Sequence, residues 1–459
     1  MENNMTEGRP LNIIIKFMVP LFLGNIFQQF YNMVDAVIVG KFVGANALAA
    51  VGSTGTIMFL VIGLACGITT GFTVITSQKF GADDREGTKA SAANGVILSG
   101  IIVLILTVLS LSFMHPLLKL MNTPEDIYND AYSYISVICI GIVAIVYYNL
   151  FSSLLRAIGN SRIPLYFLIL SALLNIVLDL VFIINLKMGV SGAAWATNVS
   201  QGISAILCAV YIIYKIPVLK PGKEHWRLNA CYTKSQLAIG LPMGLQFGIT
   251  ASGTMIMQTA INMFGSVAVA GFTAASKVQN LLTQGMMAIG QTMASYTGQN
   301  YGKGDLERVE RGTRDAMKIM TVYSIVSAAL AVLCLPCLMS MFFSSSVSMS
   351  ELLPWGKTYI YISVIFYIPL SMIFIYRNAM QGCGYSMTAM SLGVIEFAAR
   401  LICALLSMKL NSYPLAVGSD PAAWVVAGIA AIILYKNMMK KIEVKIGAKS
   451  KDPTAYGQI

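Results

Sequence analysis

Four oxygen-bearing side chains in apolar segments could together bind a small cation. Asp35 is the only acidic residue in the first apolar segment, and Asn175 and Asp179 lie one helical turn apart in a later one. Thr197 lies in the segment that follows. A carboxylate inside a bilayer costs about 2.5–3.5 kcal/mol on insertion scales, so intramembrane acids are generally buried and functional. This set of side chains suits a proton or a hard monovalent cation such as Na⁺.

The depth of these residues in their helices indicates that they meet. At a rise of about 1.5 Å per residue, Asp35 lies about 9 Å below the outer end of its segment. Asp179 and Thr197 each lie about 12 Å below the same surface. We therefore expect Asp35, Asn175, Asp179 and Thr197 to form one cation site in the outward half of the N-terminal bundle. The alternative is that local hydrogen bonds satisfy each acid as a purely structural feature.

A second group of charged residues lies in the C-terminal half. Lys277 falls within the eighth of twelve apolar segments (267–299). Glu396 and Arg400 are one turn apart in the eleventh (386–408). Two bases and one acid are more typical of an internal ion-pair network than of a cation site. Recognition of an anionic part of a substrate is the alternative.

The first segment of each half also carries polar residues or prolines of interest. Four polar residues of segment 1 are candidates for lining a substrate cleft, although hydrogen bonding between helices is an equal alternative; they are Gln28, Gln29, Tyr31 and Asn32. Pro20 in segment 1 and Pro242 in segment 7 predict bends in their helices.

The composition indicates a helical membrane protein. The chain has 459 residues, of which 56% are hydrophobic and only 11% charged, whereas soluble proteins carry about 25% charged residues. Twelve apolar segments recur along it, at roughly 12–39, 46–78, 88–114, 128–154, 163–186, 190–214, 235–263, 267–299, 316–343, 355–380, 386–408 and 415–437. Most are longer than the roughly 20 residues that cross a bilayer. We therefore predict an all-α polytopic protein with twelve transmembrane helices.

Basic residues predict the orientation. An even number of spans puts both termini on one side, and 24 of the 31 lysine and arginine residues, Arg377 among them, fall on that side. The opposite side holds only five, which are Lys41, Lys119, Lys187, Lys357 and Lys409. Because cytoplasmic loops are enriched in basic residues, we expect both termini in the cytoplasm. The net charge of +11 thus reflects orientation in a cell membrane, and no nucleic-acid partner is predicted.

The two halves of the chain repeat each other. Residues 78–86 (QKFGADDRE) match residues 299–307 (QNYGKGDLE), and the same offset of 221 aligns residues 44–50 with 265–271. Six spans in each half, both starting in the cytoplasm, predict two bundles related by a pseudo-twofold axis along the membrane normal. We expect an N-terminal bundle at 1–214 that carries the cation site, a basic cytoplasmic linker at 215–234, and a C-terminal bundle with a cytoplasmic tail at 235–459.

Several classes of site are disfavoured. The chain has no GxxxxGK[ST] phosphate-binding loop, so no ATPase site is expected. The spacing of Cys334 and Cys337 matches CxxC, but both lie in an apolar segment, so packing is favoured over metal binding and no metal or other cofactor is predicted. Neither His115 nor His225 is placed for catalysis, which argues against a membrane-embedded transferase. A flippase for lipid-linked oligosaccharides stays the main alternative to a cation-driven transporter.

The chain resembles the multidrug and toxic compound extrusion (MATE) transporters, in their bacterial DinF-type branch. The resemblance rests on the stretch from Pro20 to Asp35 and on four further motifs, which are residues 44–52, Gln78–Gly81, Arg156-Ala-x-Gly159-Asn and Asn175-x₃-Asp179. It implies an antiporter that exchanges H⁺ or Na⁺ for amphipathic, often cationic compounds. It also implies that the first-lobe cation site comprises the four residues already selected by depth. Segment 7 has no acidic residue, so the second-lobe site of the NorM-type branch is not expected.

The sequence thus predicts a monomeric, cation-coupled exporter of small molecules that works by alternating access in the bacterial cytoplasmic membrane. It identifies neither the substrate nor which of H⁺ and Na⁺ is the coupling ion.

Overall fold

The protein folds as helices throughout the described part of the chain. A computed structural model describes residues 4–121, 123–340 and 349–450. In the first half the helices are α1 (Pro10–Phe42), α2 (Ala45–Gly81), α3 (Arg85–Leu120), α4 (Glu125–Ile140), α5 (Ile142–Ala157), α6 (Arg162–Leu180) and α7 (Val190–Lys215). In the second half they are α8 (Ala230–Asn262), α9 (Ser266–Leu282), α10 (Gln284–Lys303), α11 (Leu306–Ser340), α12 (Met349–Val364), α13 (Tyr367–Gly382), α14 (Ser386–Leu410), α15 (Tyr413–Val417) and α16 (Ser419–Ser450).

The predicted helical membrane fold is confirmed. Among the described residues, eight helices are long and apolar enough to cross a bilayer, and two bent pairs are further candidates. These pairs are α4 with α5, bent by 46°, and α12 with α13, bent by 55°. Helix α8 and the pair α9–α10 occupy the positions of predicted segments 7 and 8. Both are rich in glycine, glutamine, serine and threonine, which makes them less apolar than the others.

Some predicted segments are each divided into two helices, which hydropathy alone did not show. The α4–α5 break falls at Gly141, where Asn198 of α7 donates a hydrogen bond to the Val137 carbonyl over 2.7 Å. A Cβ atom at position 141 would lie 2.0 Å from the Asn198 amide nitrogen. The Gly141 amide also donates to the Val137 carbonyl over 3.1 Å, so the glycine makes room for a side chain that gives this carbonyl a second hydrogen bond.

The chain divides into two compact units. Of the described residues, unit 1 comprises Asn4, Met5 and those between Ile15 and Ala251, and unit 2 comprises Thr6–Ile14 and those from Ser252 onward. Helix α7 ends at Lys215 and α8 begins at Ala230, with two short 3₁₀ turns between them. The predicted domain limits at 214 and 235 stay a prediction.

Close helix packing inside unit 1 follows the glycine spacing. A Cβ atom at Gly71 of α2 would lie 2.5 Å from the Gly240 Cα atom of α8, and one at Gly67 would lie 2.9 Å from the Gly244 Cα atom. Backbones can approach this closely only where side chains are missing, as in other membrane helix pairs with small residues every fourth position.

The repeat seen in the sequence has a structural counterpart at two helix starts. Asp84 accepts a hydrogen bond from the Gly87 amide at the start of α3, with a distance of 2.7 Å. Asp305 accepts one from the Arg308 amide at the start of α11, with a distance of 2.9 Å. Each aspartate thus caps the helix that follows it, which explains why the aligned motifs share an acid at this position.

Candidate cation-binding site

Three helices of unit 1 bring the predicted cation ligands together. Helix α1 carries Asp35, α6 carries Asn175 and Asp179 one turn apart, and α7 carries Thr197. The side chains of Asn175 and Asp179 are fully buried. The carboxyl groups of Asp35 and Asp179 lie within hydrogen-bonding distance of each other. The four residues selected by depth therefore form one cluster.

A hydroxyl group links the three helices of this cluster. Asn175 Nδ2 donates a hydrogen bond to Thr197 Oγ1 over 3.4 Å, and Tyr31 Oη lies 3.2 Å from the same Thr197 oxygen. Tyr31 is one turn before Asp35 on α1 and is 8% exposed. Its hydroxyl therefore joins the carboxyl cluster, although the sequence suggested it as a residue of the substrate cleft.

Asp35 has the features of a cation ligand. Its Oδ1 atom is buried and has no hydrogen-bond partner among the described residues. A buried polar atom left without a partner costs about 1–3 kcal/mol, and more for a charged group. Two carboxyl groups in contact also cannot both ionise readily without a counter-charge. A proton or a monovalent cation would remove both penalties, so the residues present fit such an ion.

The structure adds one residue that the sequence did not indicate. Tyr134 on α4 is 4% exposed and lies within electrostatic range of Tyr31, Asp35 and Asp179. A tyrosine in an apolar helix gives no sequence signal, because it is placed here by the packing of α4 against α1, α2 and α7, where it shares a core cluster with Val39, Ala47 and Ala193. Helix α6 also changes to a π-helical turn at Val181–Asn185, directly after Asp179. Such turns are frequent at functional sites.

The remaining cleft candidates lie along α1. Gln28 and Gln29 are partly exposed and Asn32 is exposed. Gln28 Nε2 donates a hydrogen bond to Asn32 Oδ1 over 3.3 Å, which is a contact within α1 itself. Pro20 and Pro242 both lie inside continuous helices, α1 and α8. Their roles in lining a cleft and in bending a helix stay predictions.

Unit 2 holds a chain of three buried ion pairs. Arg377 Nη1 lies 3.0 Å from Glu396 Oε1, Arg400 Nη1 lies 3.6 Å from Glu396 Oε2, and Arg400 Nε lies 2.6 Å from Asp420 Oδ1. We call these four residues the ion-pair network. Lys277 is on α9 with an exposed side chain and lies outside these three pairs.

The sequence did not predict that two members of the ion-pair network are buried among the helices. The prediction that Arg377 belongs to a cytoplasmic loop is wrong, because this residue is buried within α13 and pairs with Glu396. Asp420 was not among the predicted intramembrane charges, since it lies near the start of its apolar segment. It is nevertheless 8% exposed and pairs with Arg400.

Comparison with known proteins places the chain in a family. The MatE family model matches residues 20–181 and 242–406. The probable multidrug resistance protein YpnP of Bacillus subtilis (strain 168) is 31% identical over 403 residues, which cover 86% of this chain and 87% of YpnP. The probable multidrug resistance protein NorM of Thermotoga maritima is 25% identical over 437 residues, covering 93% of this chain and 90% of the relative.

A solved structure shares the fold. An outward-facing multidrug resistance MATE family transporter of the MOP superfamily matches with a TM-score of 0.89 at 24% identity, over 96% of this chain and 98% of that one. The long family match, the YpnP relationship and the shared helical fold agree. The chain belongs to the MATE family of membrane transporters and is therefore a transporter rather than an enzyme.

Proposed function

We propose that this protein is a cation-coupled antiporter that exports amphipathic, mainly cationic organic compounds, and that its coupling ion is H⁺ or Na⁺. The observation that carries the proposal is the contact between the Asp35 and Asp179 carboxyl groups beside the buried, partnerless Asp35 Oδ1. The relatives YpnP and NorM are probable multidrug resistance proteins, which supports drug-like substrates. The four residues of the unit 1 cluster, and a segment 7 without an acidic residue, support membership of the DinF-type branch.

The mechanism follows from the positions of the ligands on three separate helices. A cation that enters the cluster offsets the negative charge of the carboxyl pair and holds α1 against α6 and α7, because Tyr31 and Asp35 of α1 face Thr197 and Asp179; without the cation, α1 is free to move away. This movement of α1, with Pro20 below it, changes the surface that holds the substrate and releases the substrate outward. Discharge of the cation to the cytoplasm returns the empty carboxyl pair. One charge crossing 100 mV supplies about 2.3 kcal/mol, enough for roughly a fiftyfold substrate gradient.

The proposed orientation places both termini in the cytoplasm of a bacterial cell, with a monomer in the inner membrane. Removing Arg377 from the cytoplasmic loops does not change the sense of the Lys and Arg distribution, because 23 basic residues still fall on the side of the termini and five on the other.

Asp35→Asn tests the proposal. In proteoliposomes with an imposed pH or Na⁺ gradient, we expect the variant to lose cation-driven drug transport down to the level of ionophore-treated vesicles. Separate pH and Na⁺ jumps on a solid-supported membrane identify the ion, because only the coupling ion gives a transient current that Asp35→Asn removes. The exposed acid of Asp126→Asn is the matched control and should transport like the unmodified protein. Unchanged coupled transport by Asp35→Asn would refute the proposal.

A further inference from the structure

The helix pair α14–α16 of unit 2 and the helix pair α6–α7 of unit 1 each carry a polar contact on a buried face. An offset of 225, which aligns Gly159 and Ser161 with Gly384 and Ser386, also places Ser171 and Asn175 of α6 at the positions of Glu396 and Arg400 of α14. All four side chains are at most 5% exposed. Asn175 contacts α7 through Thr197, and Arg400 contacts α16 through Asp420. Equivalent helix faces therefore carry the polar cluster in each unit.

The two clusters differ in where their positive charge comes from. In unit 1, Asp35 has a buried carboxylate oxygen without a hydrogen-bond partner, and no described lysine or arginine pairs with that residue. In unit 2, the Arg400 guanidinium contacts Glu396 with one nitrogen and Asp420 with another. Arg377 contacts the other oxygen of Glu396. The ion-pair network thus contains two guanidinium groups and two carboxylates, and its formal charge is zero.

The packing around Arg400 holds its guanidinium in place. A Cβ atom at Gly253 of α8 would lie 3.1 Å from Arg400 Cδ and 3.2 Å from Arg400 Nη1, so the bare glycine backbone lies against the arginine side chain. Tyr359 lies within electrostatic range of both Arg400 and Asp420. An arginine stays protonated in proteins, and its fork of donors matches carboxylates. A charge that is covalently attached and packed in this way cannot leave during a transport cycle.

We propose that Arg400 is a tethered counter-cation, whose guanidinium takes the place between Glu396 and Asp420 that a transported cation takes at the carboxyl pair of unit 1. Unit 2 then binds no exchangeable cation, and the transporter carries its coupling charge through one site. This inference rests on the proposed function, because it takes the unit 1 cluster as the coupling site.

The test removes the unit 1 site and then frees the unit 2 carboxylates. The background is the full-length protein in detergent with both Asp35→Asn and Asp179→Asn. Its melting temperature is measured during Na⁺ titrations and at pH values from 5 to 8. Binding of ²²Na⁺ is measured in parallel. We expect this background to show no saturable response to either ion. Adding Arg400→Ala should create one, since Asp420 loses its partner. Adding Asp420→Asn to that variant should abolish the response again, while Arg400→Lys in place of Arg400→Ala should not produce it.

Chemical rescue provides the second readout and covers poor folding of Arg400→Ala. Methylguanidinium in the millimolar range should raise the melting temperature and yield of Arg400→Ala, and should suppress its new cation response, with no such effect on the unmodified protein. The inference is overturned if folded Arg400→Ala gains no cation response, or if methylguanidinium neither rescues nor competes. It is also overturned if the protein with Asp35→Asn and Asp179→Asn, and with Arg400 unchanged, keeps a saturable cation response, and Asp420→Asn or Glu396→Gln then abolishes that response. Failure of the proposed function would show separately, as intact coupled transport by Asp35→Asn with Arg400 present.

Discussion

Unit 1 and unit 2 each hold two acids among their helices, but the acids have different partners. In unit 1, Asp35 and Asp179 contact each other, whereas in unit 2 the acids Glu396 and Asp420 are joined through Arg400. An internal repeat can therefore keep its helix packing while its chemistry diverges. Whether a buried acid serves in transport or in structure depends on whether its counter-charge is part of the chain.

The largest expected difference between the units comes from making the same change, acid to amide, in both of them. Glu396→Gln leaves Arg377 and Arg400 buried without the carboxylate between them, which should cost about 3–5 kcal/mol in the free energy of unfolding. Asp35→Asn removes a charge that has an unpartnered oxygen, so we expect a change within about 1 kcal/mol.

Denaturant unfolding in detergent, followed by intrinsic fluorescence, measures both variants under identical ionic conditions. Asp35→Asn should lose transport and keep its stability, and Glu396→Gln should lose its stability. Equal destabilisation of the two variants would mean that the Asp35 carboxylate is also fixed by a structural partner, and the contrast between the units would disappear.

The sequence was sufficient to predict the unit 1 cluster because its signals are local and rare. A single acid in an apolar segment stands out, and Asn175 and Asp179 fall on one face by helical spacing alone. Counting 1.5 Å per residue then placed Thr197 at the same depth. The helical membrane fold followed equally directly from the length and number of the apolar segments.

The ion-pair network could be predicted only in part, because its members meet through tertiary packing. Glu396 and Arg400 are one turn apart and were found together, but Arg377 and Asp420 come from other helices near predicted segment ends. A hydropathy profile cannot distinguish a charge in a loop from one buried in the last turns of a span. The helix break at Gly141 could likewise not be predicted from hydropathy, since the Asn198 side chain that packs beside this glycine comes from α7.

A smaller effect should come from enlarging Gly253, the residue against which Arg400 packs. Gly253→Ala places a methyl group 3.1 Å from Arg400 Cδ, so the guanidinium must shift within its pocket. We expect about 1–3 kcal/mol of destabilisation, as for other overpacked sites. Gly55→Ala in α2 is the control, because among the described residues no atom apart from its chain neighbours and its own helix backbone lies within 4 Å of the added Cβ. Its unfolding free energy should be unchanged or higher, given the better helix propensity of alanine. Equal effects of the two changes would show that the Arg400 pocket is not tightly packed.

The smallest expected effect is on the cation affinity of the unit 1 cluster. Thr197→Val removes the hydroxyl oxygen that accepts from Asn175 Nδ2 and lies 3.2 Å from Tyr31 Oη, while it keeps the side-chain shape. The loss of such a hydrogen bond is worth about 1 kcal/mol, which corresponds to about a fivefold weaker apparent affinity for the coupling ion. Thr54→Val is the matched control, since among the described residues the Thr54 hydroxyl bonds only to the Val51 carbonyl of its own helix. The half-saturating cation concentration for transport measures both. If both variants weaken cation affinity equally, or neither does, then the Thr197 hydroxyl does not serve the cation site, and the site reduces to the carboxyl pair.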